Sequence, residues 1–423
     1  MIIWYFTTKR ENDNLLTSKM HLFIERSKFI TLSGGENMNF TIFSKPHLIF
    51  GENSIYSLPT EMKNRGLKRA FLVVTPHFVN NGLASKIQDK LSEEGIDSVV
   101  YSNLIQDAPD FTINEGAQIA RDFKADTVVA IGGGKAMDTA KSINIIINNP
   151  GKTIADFISP ESMADRIPGV FLILCPTTTG TGSEMTYCGV VHFIDLDRKI
   201  SVGNGDTFAD LAIVDPVLTV ELPPDITAET GLDALTHCVG CITSIYNVNP
   251  LSEAIAYDAI GIIMKNLPRA IACPTDMEAR NMMSYASMAA GMAFIDQCCN
   301  VDHALSQSMG AAAGTPHGIA CGAALPWAVK YLCAAAPEKV KKVASAMGVD
   351  VSGLDPVTAG NTVADALAAF VKSVGCPSMK DLNYTEEQLE RIAELTPMDV
   401  VSYLCPRRVT REEILDLLHE AVK

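Results

Sequence analysis

The sequence predicts an α/β domain with a largely parallel sheet, followed by an all-helical domain. Three observations carry that reading. Short apolar runs recur at Ala70-Phe-Leu-Val-Val74, Ser98-Val-Val-Tyr101, Thr127-Val-Val-Ala-Ile131 and Val170-Phe-Leu-Ile-Leu174. Their near-continuous hydrophobicity suits strands covered on both faces, as in a parallel sheet. Helical spacing fills the gaps, over Gly82 to Glu94 and Asn114 to Phe123, which gives the alternation of an α/β unit. After Val214-Asp215-Pro216 the texture changes to long helical segments. These run over Thr227–Ile242, Leu251–Asn266, Asp276–Phe294, Val301–Gly310 and Gly318–Ala334, with Pro326 expected to kink or interrupt the last. Glu338–Met347, Thr362–Val374, Thr385–Leu395 and Thr410–Ala421 continue the pattern, the last two behind threonine caps. The expected domains are therefore residues 38–219 and 220–423.

Residues 1–37 differ from both. They change register repeatedly and contain no apolar core long enough for a secretory signal. Gly34-Gly35-Glu36, just before Met38, is what a purine-rich ribosome-binding stretch encodes when translated in frame. The expectation is a start at Met38 behind a translated leader, the alternative being a disordered or targeting extension.

Composition bounds the function. At 423 residues, 47% hydrophobic and 20% charged, the chain is globular and large enough for two cores. A net charge of -15 argues against a nucleic-acid surface, which needs clustered Lys and Arg. No apolar run approaches a membrane span. Eleven scattered cysteines, an odd number, fit a reducing, cytoplasmic setting better than a disulfide framework. Cys238 and Cys241 form a lone Cys-x-x-Cys pair, read as two small buried helix residues rather than a redox couple.

Two turns follow predicted strands. Gly132-Gly-Gly134 leads into a helix at Lys135, so backbone amides and a helix N-terminus face any anion placed there. The sequence has neither the spaced glycines of the dinucleotide fingerprint nor the end of a P-loop, and a tight structural turn is the plain alternative. Cys175-Pro-Thr-Thr-Thr-Gly-Thr-Gly-Ser-Glu184 interleaves hydroxyls with glycines, suited to ribose or phosphate, or to a threonine-rich cap. Two such turns at the carboxyl ends of parallel strands point to a nucleotide crevice.

In the helical half, Asp233 and His237 stand four apart, hence on one helical face. His303 and His317 are the other histidines of the central region. Three neutral imidazoles and one carboxylate make a complete donor set for a divalent transition metal. Each alone also reads as a satisfied buried polar residue or, for His317, a helix cap after Pro316.

Together these motifs resemble the iron-containing, or group III, alcohol dehydrogenase family from Phe40 to the C-terminus. The features are Gly132-Gly-Gly-Lys-Ala-Met-Asp-Thr-Ala-Lys141, Pro176-Thr-Thr-Thr-Gly-Thr-Gly-Ser-Glu184, Ile213-Val-Asp-Pro216, Gly231-Leu-Asp-Ala-Leu-Thr-His237 and Gly314-Thr-Pro-His-Gly318. The resemblance implies a metal held by Asp233, His237, His303 and His317, Fe²⁺ or else Zn²⁺. It implies an NAD or NADP site including Gly133, Gly134, Asp138, Thr177, Thr178 and Lys199, and a homodimer or larger homo-oligomer. The implied reaction interconverts a small primary alcohol or diol and its aldehyde. A dehydroquinate synthase-like elimination and a non-catalytic nucleotide- and metal-binding protein are the alternatives. Departures from the family pattern are Lys135, where a serine is common, Pro76, where NAD-preferring relatives carry aspartate, and Gln307, where a histidine is frequent. Lys135 is expected either to contact phosphate or to point away. Glutamine cannot relay a proton near neutral pH. Cys298 and Cys299, preceding the third ligand, either line the pocket or are buried as small apolar residues.

Overall fold

The computed structural model describes residues 39–43, 46–105, 107–196 and 198–423; the leader expected over 1–37 lies outside them. The chain divides into two compact units, the described residues 46–222 with 274–284 and the described residues 39–43 with 223–273 and 285–423.

The first unit is α/β. Its strands are β1 (His47–Phe50), β2 (Arg69–Val74), β3 (Asp97–Tyr101), β4 (Thr127–Gly132), β5 (Phe171–Pro176), β6 (Gly189–Phe193), β7 (Arg198–Val202) and β8 (Leu211–Val214). Its helices are α1 (Leu58–Asn64), α2 (Pro76–Asn80), α3 (Leu83–Glu93), α4 (Asp110–Phe123), α5 (Gly134–Ile146) and α6 (Pro160–Ala164). Six strands form one sheet in the order β1-β8-β5-β4-β2-β3, every pairing parallel. Alternate residues of the same strand enter opposite cores. Val128, Ala130, Leu172 and Leu174 join Ile113, Ala117 and Ile143 on one face. Val129, Ile131, Ile173 and Cys175 join Leu58, Ile87 and Leu91 on the other. Burial on both faces, at about 1.5–3 kcal/mol per large aliphatic side chain, is why these strands read as continuous apolar runs.

Two features were not expected. The edge strand β1 and its neighbour β8 are four residues each. The antiparallel hairpin β6–β7 stands apart from the sheet. In the register between β4 and β5, Gly132 lies opposite Pro176. The glycine and threonine turns therefore leave neighbouring strands side by side.

Among the described residues, the second unit contains helices and no strand. They are α7 (Pro224–Thr243), α8 (Pro250–Ala272), α9 (Met277–Gln297, which begins in the first unit), α10 (Val301–Ala313), α11 (His317–Leu332), α12 (Pro337–Met347), α13 (Pro356–Ser373), α14 (Glu386–Leu395) and α15 (Arg411–Ala421). The expected interruption at Pro326 does not occur: α11 runs through it to Leu332. Leu325, Ala328 and Val329 around it are fully or almost fully buried, which offsets the lost backbone hydrogen bond. Helix α7 closes on α11 because glycines leave room. A Cβ on Gly318 would sit 2.4 Å from Glu229 O, and one on Gly322 2.7 Å from Leu232 Cδ1. No described helix is long and apolar enough to cross a membrane.

Candidate metal centre and cofactor turns

The close approach of α7 and α11 puts Asp233 and His237 opposite His317, and α10 supplies His303. Asp233 is the hub. Its Oδ1 lies 3.3 Å from His317 Nε2, 3.5 Å from His303 Nε2 and 3.7 Å from His237 Nδ1. The His237 and His303 rings stack with centroids 4.4 Å apart, and those of His303 and His317 are 5.6 Å apart. Asp233, His237 and His303 are buried, whereas the His317 side chain is 47% exposed and opens the group to solvent.

All four residues named from the sequence thus share one neighbourhood. Among the described residues, one set of four donor atoms all within 4.8 Å of one another comprises Asp233, His303, His317 and a residue not anticipated, Cys321. His237 stands beside that set rather than in it, its Nδ1 buried without a hydrogen-bond partner. An orphaned imidazole nitrogen next to a buried carboxylate is what an ion would satisfy, so the donors fit a divalent metal.

Electrostatics agree with that fit. Burial alone would raise the Asp233 carboxyl, but His237 and His317 hold it well below the usual carboxylate range. Burial brings His237 down to about 3, against the pull of Asp233, so this imidazole is already neutral. Burial opposes ionisation of the Cys321 thiol, yet His317 and His303 lower its pKa. In return Cys321 and then Asp233, working against burial, push His317 up to about 10. His303 is also raised, by Cys321, Asp233 and Asp302 against burial. Without an ion, His303 and His317 therefore hold protons at neutral pH that coordination must displace. Metal loading at pH 7 is expected to release up to about two protons, and apparent affinity to climb with pH until these groups are deprotonated. Proton release on Zn²⁺ addition in weak buffer, with titrations across pH, checks this. Affinity that falls or stays level from pH 6 to 8 would contradict it.

Behind His303 stands Asp302, whose Oδ1 accepts a 2.7 Å hydrogen bond from His303 Nδ1. That bond fixes the ring so that Nε2 faces Asp233, and its lone pair becomes available once an ion displaces the proton there. Space for the carboxylate comes from Gly240 on α7, where a Cβ would meet both Asp302 oxygens at 2.8 Å. Asp302→Ala is expected to weaken metal binding about 10–100-fold, the usual cost of losing such a partner. Competition with a chromophoric chelator measures it, and unchanged affinity would show that Asp302 does not orient His303.

In the first unit, α5 begins directly after the glycine turn with Gly133 at its N-cap and no side-chain cap, so its first amides stay open. Gly133 faces Thr178, where a Cβ would come within 2.9 Å of Thr178 Cγ2, and Gly134 faces Thr181. Thr177 N donates to Gly132 O at 3.1 Å. Bare backbone, open amides and flanking hydroxyls form a cradle suited to a diphosphate. Asp138 lies 3.3 Å from Ser183 Oγ, and burial raises its carboxyl to about 6. Lys135 is half-buried in the first turn of α5. Lys199 stands on β7 and pairs with Asp107 at 2.9 Å. Sequence reasoning assigned no role to Lys141. It is fully buried, and its Nζ donates to Ser183 O, Ser183 Oγ, Thr186 Oγ1 and Cys188 O at 2.6–3.0 Å. It ties the threonine turn to α5.

The cysteines follow the plainer reading. Cys238, Cys241, Cys298 and Cys299 are buried, and no disulfide joins any of the eleven.

Comparison with known proteins is consistent along the chain. Residues 45–216 match the family described as iron-containing alcohol dehydrogenase, and residues 227–422 match its C-terminal domain. A NAD-dependent methanol dehydrogenase of Bacillus methanolicus is 30% identical over 90% of this chain and 99% of its own. A lactaldehyde reductase of Escherichia coli K12 is 32% identical over 88% and 97%. The crystal structure of sulfoacetaldehyde reductase from Bifidobacterium kashiwanohense with NAD⁺ has a TM-score of 0.83 at 29% identity, covering 92% of this chain and all of that one.

Proposed function

Since the chain belongs to the iron-containing alcohol dehydrogenase family, we propose that it uses NAD to interconvert a small primary alcohol or diol and its aldehyde. The carrying observation is the convergence of Asp233, His303 and His317, from three helices, on one partly open group of donor atoms. Asp233, His303 and His317, with His237 beside them, would hold a divalent ion, Fe²⁺ or Zn²⁺. That ion supplies positive charge to a substrate oxygen, and the nicotinamide supplies or accepts the hydride.

The protein's own groups do the rest. The ionised Asp233 offsets part of an ion's charge, and neutral His237 offers a lone pair without first losing a proton. Asp302 keeps His303 aligned. The amides of α5, with Gly133, Gly134, Thr177 and Thr178, would hold the diphosphate, with Lys135, Asp138 and Lys199 as further contacts. Gln307, one turn beyond His303, has a buried Oε1 without a partner, an acceptor that a hydroxyl-bearing substrate can fill. It cannot pass a proton onward, so proton exit does not use this position.

NAD rather than NADP is supported by Glu221. Pro76 leaves no carboxylate directly after β2, but Glu221 lies 2.6 Å from His77 Nε2 and 3.1 Å from Asn81 Nδ2, both just beyond that strand. Those hydrogen bonds hold it below the usual carboxylate range, and a fixed negative charge there would repel a 2′-phosphate. A cytoplasmic setting is supported by the absence of disulfides. A homo-oligomer is proposed from the resemblance alone. The elimination chemistry of dehydroquinate synthase-like proteins is not favoured, because the relatives carry redox names.

The test is an anaerobic panel of small alcohols, diols and aldehydes with both cofactors, after Fe²⁺ or Zn²⁺ loading. Net NAD⁺ reduction or NADH oxidation is expected, with NADP(H) poorer. A metal-loaded protein that turns over none of them would end the proposal.

A further inference from the structure

The donor atoms around Asp233 include a sulfur at ligand spacing. Cys321 is one helical turn after His317 on α11 and fully buried. Its Sγ lies 3.6 Å from Asp233 Oδ1, 3.6 Å from His317 Nε2 and 4.0 Å from His303 Nε2. The two edges from Asp233 Oδ1 to the imidazoles are 3.3 and 3.5 Å. A tetrahedral ion with bonds of about 2.1 Å to nitrogen or oxygen and about 2.3 Å to sulfur needs edges of about 3.4 Å and about 3.6 Å respectively. Of these five edges four match within about 0.1 Å and the one to His303 is somewhat long, while the sixth, between His303 and His317, lies within 4.8 Å.

Ordinary hydrogen bonding accounts for the arrangement less well. A thiol has one proton to give, and here three acceptor or donor atoms converge on one sulfur. His237, the sequence-based choice for the fourth position, lies outside the compact group. Cys299 groups with Asp302 and His303, but His303 Nδ1 is already engaged by Asp302, so that trio supports the ligand rather than forming a site of its own.

Resting on the metal reading above, we infer that Cys321 is itself a metal ligand alongside Asp233, His303 and His317, a substrate oxygen then entering as an additional donor. A thiolate softens the donor set, favouring Zn²⁺ or Co²⁺ over harder ions.

Zinc K-edge X-ray absorption on the full-length, zinc-loaded protein tests this without relying on turnover. One sulfur scatterer at about 2.3 Å is expected beside nitrogen and oxygen at about 2.0–2.2 Å. Cys321→Ser should keep one equivalent of zinc and lose the sulfur shell. In the cobalt-loaded protein the same change should remove the near-ultraviolet thiolate-to-cobalt absorption. One equivalent of zinc bound by nitrogen and oxygen alone would overturn the sulfur assignment and leave the metal reading standing. A sulfur shell that survives in Cys321→Ser would overturn it in favour of another cysteine. Failure to bind zinc, cobalt or, under anaerobic conditions, ferrous ion would overturn both.

Discussion

Replacing His303 with alanine is expected to leave a folded protein that no longer retains one equivalent of divalent metal and has lost nearly all alcohol oxidation. His303 faces Asp233 through Nε2 at 3.5 Å and is fixed from behind by Asp302, so it has no substitute nearby in that role. Loss of an outer partner typically costs about 10–100-fold in affinity, and loss of a direct donor should exceed that. Metal analysis after gel filtration, beside turnover, reads both effects. His303 is buried, and its removal leaves a cavity, so a thermal melt must accompany the measurement. Asp233→Asn provides the second arm: it keeps the volume, removes the negative charge and should also lose the ion. Retained metal with normal turnover in both variants would show that the convergence around Asp233 is only a buried polar cluster.

How far such a cluster could be read in advance depended on periodicity. Asp233 and His237 were legible because four residues is one helical turn. Cys321 stands at the same spacing from His317, so the signal was present. It went unused because a cysteine in an Ala- and Gly-rich helix is ordinarily a small apolar residue. Gly240 and Gly318 carry information of another kind. Their meaning lies in what a side chain would strike on another helix, which no pattern within one helix discloses. Strands β2, β4 and β5 were legible because both faces are buried and almost the whole run is apolar, and the edge strand β3 through its short Val99-Val100-Tyr101 run. Strands β1 and β8 are too short for a periodic signal, and β6–β7 carries exposed and polar positions that mask it. Pro326 does not end its helix, because a local rule met a helix buried nearly all round and burial decided the outcome.

Lys141 shows the same limit for a charged residue, and its replacement should be the most destabilising change in the first unit. In sequence it is the last letter of a motif on a helix, easily taken for a solvated lysine. In the structure it is 1% exposed, and burial lowers its pKa while Asp138, Cys188 and Glu184 support its charge. Burial raises Glu184 to about 7 and Asp138 to about 6, so the lysine is the cation that keeps two reluctant carboxyls compatible with the interior. Lys141→Met matches the length of the side chain, so the packing loss is small. It removes the cation and leaves Ser183 O and Cys188 O without this donor. Breaking a buried charged network by deleting one partner costs about 3–5 kcal/mol. Urea unfolding followed by a probe in the first unit should show that loss, while metal retention by the second unit changes little. NAD affinity should fall as well, because the turn carrying Thr177 and Thr178 loses its tether to the helix that begins at Gly134. A midpoint and cofactor affinity both unchanged in Lys141→Met would mean that the turn is held by its own backbone, and that the buried ammonium contributes nothing to the cofactor cradle.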